Sequence, residues 1–482
     1  MKRTWLLVAV LSLVLFSHAA MANNISVTNV VLYNTVPEDG TTEVKFDLSW
    51  ENSWRASWTE NGATPPVAVS NWDAAWVFVK YRDAGGDWQH ATLASTQPAA
   101  PAGTAIDMGA TDGTNVGAFV YRSTSGSGAM NLSDVKLRWD YDADGVLQTE
   151  QIDVAVYAIE MVYVAEGSYE LGSGGAEGGH FYKDPTVTDT YTVSNENAIT
   201  VGTTDGNLYY IAGVDGDYAG TIPTAFPNGY SAFYCMKYEI SQGQYADFLN
   251  QQTLTVAEDR DLDESANRQT ITQGAQPYSA SAPDRACNWL SWADGTAYAD
   301  WSGLRPMTEL EYEKACRGPL PGVANEQVWG TTAYTTTSGI VNDGTGTATA
   351  TGGNVNYSGC PLEGPYRCGI YATASSTREQ AGATYWGIMN MGGNLRERAV
   401  TIGNSTGRAF MGTHGDGELG GAYDRDATNP DWPTGSGLGA GLRGGSWTHS
   451  IDVLTISNRG NAVYTSSARK SYAGCRAVRS AQ

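Results

Sequence analysis

The sequence predicts a mostly β protein of the α+β class, an antiparallel β-sandwich over residues 23–160 followed by a loop-rich domain over 161–482. Three observations lead there. The first region holds no cysteine and reads as short runs that alternate apolar and polar residues. From Met161 the pattern changes to long polar, glycine-rich stretches with a few helical phrases, and all six cysteines fall in this second part. The composition, 57 glycines, 27 tyrosines and 15 tryptophans with only 17% charged residues, suits ordered loops and aromatic packing and argues against an acidic disordered chain.

Residues 1–22 read as an export signal. Lys2 and Arg3 precede an apolar run from Trp5 to Phe16, and Ala20-Met-Ala22 supplies small residues for cleavage. The mature chain is expected to begin at Asn23. No cysteine follows that point to take a lipid, and no later stretch approaches the roughly 18 apolar residues of a membrane helix. The expectation is an exported, soluble mature chain in the periplasm, at the cell surface or in the medium. Lys+Arg 29 against Asp+Glu 51 gives a formal charge of −22, which repels nucleic acid and anionic membranes.

The strands of the first region follow in order. Ile25-Ser-Val-Thr-Asn-Val-Val-Leu-Tyr33, Glu43-Val-Lys-Phe-Asp-Leu-Ser-Trp50 and Trp76-Val-Phe-Val-Lys-Tyr81 alternate with period two. Gly117 to Tyr121, Val135 to Trp139 and Ile152 to Tyr157 repeat the pattern. Such a series, broken by Gly, Asp and Pro, is the signature of a sandwich. Asp142-Ala-Asp144-Gly145 starts like a calcium loop but lacks the closing bidentate glutamate, so it reads as a turn.

In the second region Ser241 and Gln244 form a capping box ahead of Tyr245, Phe248 and Leu249. Ser291 caps a helix that buries Trp292, Tyr298 and Trp301 and stops at Gly303. Thr308 and Glu311 form another capping box, with Met307 and Tyr312 at staple spacing. An even cysteine count in an oxidising compartment reads as disulfides. Cys360 and Cys368 bracket a short turn-rich loop and are the expected pair; Cys235, Cys287, Cys316 and Cys475 allow three pairings. Without Cys-x-x-Cys, a zinc site is not expected.

Seven phrases of this region, in order, resemble the formylglycine-generating enzyme family, also called sulfatase-modifying-factor domains. They are Gly167-Ser-Tyr-Glu-Leu-Gly172, Phe233-Tyr-Cys-Met-Lys-Tyr-Glu-Ile-Ser241, Asn288-Trp-Leu-Ser-Trp-Ala-Asp-Gly-Thr-Ala-Tyr298 and Trp301-Ser-Gly-Leu-Arg-Pro-Met-Thr-Glu-Leu-Glu-Tyr312. Gly387-Ile-Met-Asn-Met-Gly-Gly-Asn-Leu-Arg-Glu397, Leu442-Arg-Gly-Gly-Ser-Trp447 and Gly474-Cys-Arg476 complete them. The resemblance covers about residues 160–480 and implies a C-type-lectin-like fold. Active members carry two cysteines after the Gly-Gly-Ser motif, which bind copper and oxidise a substrate cysteine to formylglycine. Soft thiolates suit Cu(I). Those positions fall here on His449 and Leu454, so neither copper nor iron is expected. An iron triad from His414, His449 and Asp416 would be the atypical alternative.

The resemblance also implies calcium. Asn390, the carbonyls of Gly393 and Leu395, and Glu397 match one calcium phrase; Asn356, the Tyr357 carbonyl, Glu363 and the Pro365 carbonyl match a second, weaker one. The family's aromatic positions beside the substrate groove carry Arg396 and Arg398. The stretch from Ser446 to Arg476, with His449, Asp452, Asn458, Asn461 and Tyr464, corresponds to an exposed ligand-facing surface, and with Arg396 it forms the expected binding face. The functional expectation is an exported, non-catalytic binding or surface-structural module with calcium-held loops, meeting an extracellular ligand or copies of itself through strand edges. The alternative is a metal-dependent oxidase of the same family with unusual ligands.

Overall fold

The computed structural model describes residues 24–210, 216–262, 264–420 and 425–481. The export segment 1–22 lies outside the described residues. Eight strands open the chain: β1 Ser26–Val36, β2 Thr41–Glu60, β3 Val67–Asp83, β4 Gln89–His90, β5 Thr104–Thr111, β6 Thr114–Arg122, β7 Gly126–Asp140 and β8 Ile152–Val164. All their pairings are antiparallel, as the alternating pattern requires.

The antiparallel strands of the first region do not stop at its expected boundary but join one continuous hydrogen-bonded sheet with the second. An eleven-stranded sheet runs β1-β2-β3-β8 and continues into Phe233–Met236, Ala477–Ser480 and Arg305–Pro306 of the second region. The reason lies in strand length. β8 pairs with β3 from Ile152 to Val162 and with Phe233–Met236 from Met161 to Val164. The boundary at 160/161 therefore falls inside a single strand. β3, at 17 residues, is buried on both faces. Ala75, Val77 and Val79 join Val44, Phe46, Leu48 and Trp50 of β2 in one core, while Ala74, Trp76 and Phe78 join Trp301 and Leu304 in another. Trp76 Nε1 donates to the Ser302 carbonyl at 2.7 Å, and the Phe78 and Trp301 rings meet edge-on at 5.1 Å. Gly117 of β6 exists for this indole: a Cβ there would stand 2.5 Å from the Trp76 ring.

The helices are α1 Gln242–Asn250, α2 Leu254–Arg260, α3 Trp292–Trp301 and α4 Glu309–Arg317, with single turns at Arg378–Ala381 and Ser405–Arg408. Ser241, Ser291 and Thr308 each close a full capping box, so three of the starts were written in the sequence. No described helix is long and apolar enough to cross a membrane.

The expected Cys360–Cys368 disulfide is corrected. Both thiols are free, as are the other four. Cys368 is drawn into a small core with Tyr238, Ala286 and Leu395, and its thiol donates to Glu239 O at 3.6 Å. Cys360 sits half-buried against a different cluster and donates to Val355 O at 3.4 Å. Short sequence separation gave proximity, but the two side chains are claimed by separate cores.

Candidate functional site

Three chain segments converge on the site through one small sheet. The strand Arg396–Val400 pairs antiparallel with Ala440–Arg443 and parallel with Ala473–Gly474. It thereby brings the Asn390–Glu397 phrase beside Gly444-Gly-Ser446 and Gly474-Cys-Arg476. Close packing explains the paired glycines. Gly445 has φ +61°, and a Cβ there would collide with the Leu454 side chain, which is fully buried beneath it.

The first calcium phrase surrounds a buried, charge-rich spot. Glu397 is fully buried; its Oε1 accepts from Arg476 Nε at 2.7 Å and Nη2 at 2.6 Å, while its Oε2 has no hydrogen-bond partner among the described residues. Glu239, also fully buried, accepts from Asn394 Nδ2 at 3.0 Å and from the Leu395 amide at 3.2 Å. Burial, then repulsion from Glu397, pushes its carboxyl up to about 8. The Asn390 side-chain oxygen takes the Gly369 amide at 2.9 Å, and Gly393 packs against the Asn356 carbonyl, which a Cβ would approach to 2.5 Å. Of the two buried carboxylates only Glu397 pairs with the Arg476 guanidinium, and its second oxygen is left over. Calcium takes hard oxygens in a tolerant geometry, and the Glu397 Oε2 is the hard oxygen this spot leaves without a partner among the described residues. Glu239 escaped the sequence reading; its only signal was an acid in the phrase Phe233 to Ser241, where Lys237 is the one other charged residue.

The second phrase is less enclosed. Asn356 is buried with its Oδ1 unpartnered among the described residues, and its Nδ2 donates to Gly364 O and Asn394 Oδ1, each at 3.1 Å. The Tyr357 hydroxyl meets Thr336 at 2.8 Å, Glu363 is exposed, and the Pro365 carbonyl already accepts from Arg268 Nε at 2.9 Å.

The two positions where the resemblance implies copper ligands offer no soft donor pair. His449 Nε2 accepts from Arg396 Nε at 3.2 Å, which places the ring proton on Nδ1, facing Ser446 Oγ at 2.8 Å. Burial and the adjacent guanidinium push the imidazole down to about 4. Leu454 ends a single 3₁₀ turn, Ile451–Leu454, and packs with Val328, Val355, Met391 and Ile456. An aliphatic side chain cannot bind a metal, and the one imidazole beside it has both nitrogens engaged, so these residues do not fit copper. The iron alternative is not assembled either. His414 Nε2 accepts the Ser480 amide at 3.0 Å, and among the described residues no group of three His, Cys, Asp or Glu side chains is placed to hold a metal.

The binding face comes together in part. Arg396 is 4% exposed and Arg398 3%, and neither meets a carboxylate among the described residues. Arg398 spends its donors on the Leu290 and Ala468 carbonyls at 3.0 and 3.3 Å. Beside Arg396 stand His449, Tyr472 and Tyr464; the His449 and Tyr472 rings meet edge-on at 5.6 Å, and the two phenols lie 3.4 Å apart. Asp452 and Asn458 form a separate knot, in which Asn458 Nδ2 donates to Asp452 O at 3.3 Å. The Asn461 carbonyl is taken by the Leu442 amide at 2.9 Å. Arg459, which sequence reasoning passed over, is fully buried and anchors the segment to Glu309 at 2.7 Å.

Residues 156–481 match the family described as sulfatase-modifying factor enzyme 1-like domain. A formylglycine-generating enzyme of Streptomyces coelicolor is 41% identical over 58 residues, covering 12% of this chain and 18% of that protein. One of Bos taurus is 31% identical over 117 residues, covering 18% of this chain and 31% of that protein. The alignments thus span less than a third of either relative's length. With a match across its whole second region, converging on the strand of Arg396 and Glu397, the chain belongs to the sulfatase-modifying factor enzyme 1-like family.

Proposed function

We propose that the chain is an exported, non-catalytic member of its family, a binding module that recognises an extracellular ligand with the face its relatives use for substrate. The observation that supports this most directly is the occupancy of the two thiolate positions. One holds a neutral imidazole tied to Ser446 and Arg396, the other a leucine buried in the core. Arg396, beside His449 and Tyr472, gives the face a positive character that an uncharged peptide would not use. The N-terminal strands are continuous with the family domain's larger sheet, which argues against a detached spacer.

Calcium belongs to the same reading. Bound by Asn390, the Gly393 and Leu395 carbonyls and Glu397, it would fix the loop that carries Arg396. Glu397 supplies the unpartnered oxygen, and Arg476 holds the other oxygen of the same carboxylate in place.

Elemental analysis of the purified mature chain tests both parts. About one tightly held calcium per chain, lost in Glu397→Gln, with no copper or iron, is the expected result. Stoichiometric copper or iron would overturn the non-catalytic reading, and calcium retained by Glu397→Gln would overturn the ligand set.

A further inference from the structure

Arg479 lies on the strand Ala477–Ser480, at the seam between the N-terminal strands and the family domain, and is 1% exposed. Its Nη1 donates to the Gly303 carbonyl, its Nη2 to the Ala110 carbonyl at 2.5 Å, and both approach Thr111 Oγ1 at 3.5 Å. The guanidinium covers the Trp76 ring at 4.6 Å. Every one of these partners is neutral. The charged neighbour, Arg305, has the same sign and is committed to Glu311 at 2.6 Å. Burial lowers the Arg479 guanidinium to about 9, so it keeps its proton at neutral pH. A buried charge without a counter-ion is costly, and an anion relieves that cost.

Space for the anion is present. Arg479 lines a cavity of about 410 Å³ together with Trp72, Phe119, Tyr121, Tyr163 and Tyr234. Its Nε donates to no described residue, and Gly109 keeps the approach open, since a Cβ there would stand 2.8 Å from Nε. The rings spend their faces on one another. Trp72 stacks on Tyr163 at 3.8 Å and on Tyr121 at 5.6 Å, and Phe119 stacks on Tyr234 at 3.8 Å. What remains for a ligand is ring edges, the positive part of each quadrupole, which favour the face of another aromatic ring. The Tyr234 hydroxyl accepts from Trp72 Nε1 at 3.2 Å and retains its own proton to donate. At the rim the exposed Asp107 carboxylate is bonded to the Tyr121 hydroxyl and repels a second negative charge.

We propose that this cavity binds a small aromatic monocarboxylate, its carboxylate on Arg479 and its ring among the edges of Trp72, Tyr163 and Tyr234. The site is separate from the Arg396 face and does not depend on the function proposed there.

Calorimetric titration of the full mature chain with benzoate, benzyl alcohol and acetate tests the assignment. Benzoate is expected to bind roughly tenfold or more tightly than either, because only it supplies both the charge-assisted bond and the ring. Arg479→Gln removes the preference for benzoate over benzyl alcohol. Because that change sits in the core, Tyr163→Ala on the half-buried side serves as the second variant, and is expected to weaken benzoate about threefold or more. Absent benzoate binding, or equal binding of all three probes, overturns the proposal. A chain extended by a short Gly-Ser tail completes the test: equal benzoate affinity supports the assignment. Binding only to the extended chain would make the chain's own terminal carboxylate the occupant and refute it.

Discussion

His449 and Arg396 are coupled in a way that titration exposes. The imidazole is lowered to about 4 by burial and by the guanidinium beside it, with Tyr472 edge-on at its other side. Its folded value lies below its unfolded one near 6.5, so the unfolded chain binds the proton more readily. The contribution to stability is complete above the unfolded value and is lost as pH falls from there towards 4. Proton NMR should show the His449 ring titrating near 4, and Arg396→Ala should move it upward; an unshifted value near 6.5 in the native chain contradicts the geometry. Leu454→Ala should cost about 2–5 kcal/mol in urea unfolding, since the residue is fully buried and the cavity left behind cannot collapse onto the fixed Gly444-Gly445 turn. That the family's two cysteine positions fall on His449 and Leu454 is what the resemblance in sequence implies. The Arg396–His449 contact was not legible there, because 53 residues separate the partners and only the small sheet joins them. The Cys360 and Cys368 pairing failed for the converse reason: proximity in sequence says nothing about which core claims each side chain.

At the scale of elements, α4 is the most informative. Its sequence, Glu309 to Arg317, is charged enough for a surface helix, yet all nine residues are buried. The charges are satisfied by arginines brought from elsewhere: Arg305 on Glu311, Arg443 on Glu309 and Glu313, and Arg459 on Glu309. The capping box and the start of the helix were readable locally. Its burial was not, because the partners are supplied by residues as distant as Arg459. Glu309→Gln leaves Arg443 and Arg459 without their shared carboxylate and should destabilise the fold by about 3–5 kcal/mol. Thr308→Ala removes only the cap and the bond to Pro227 O, and should cost about 0.5–2 kcal/mol. Chemical denaturation of the two variants side by side checks the ordering, and equal costs would show that the ion pairs are not what holds α4 inside.

Across the whole molecule, the continuous sheet makes the N-terminal strands part of the family domain's own core. The strand pattern of residues 23–160 was visible as period-two alternation. That β3 is covered on both faces escaped that reading, which took Trp76 to Tyr81 as alternating, and a single sequence does not tell which face meets α3. Unfolding monitored by tryptophan emission and by far-UV dichroism should therefore give one coincident transition, and Trp76→Ala should shift it as a whole by about 3–5 kcal/mol. Two separated transitions would restore independent domains.

The central claim is that the family's thiolate chemistry is gone from this face. The most direct measurement incubates the purified mature chain with Cu(I), oxygen and a cysteine peptide of the kind formylglycine-generating enzymes oxidise, and reads the peptide by mass spectrometry. The account predicts an intact thiol and no aldehyde. Formylglycine formed in proportion to the amount of chain added would contradict it.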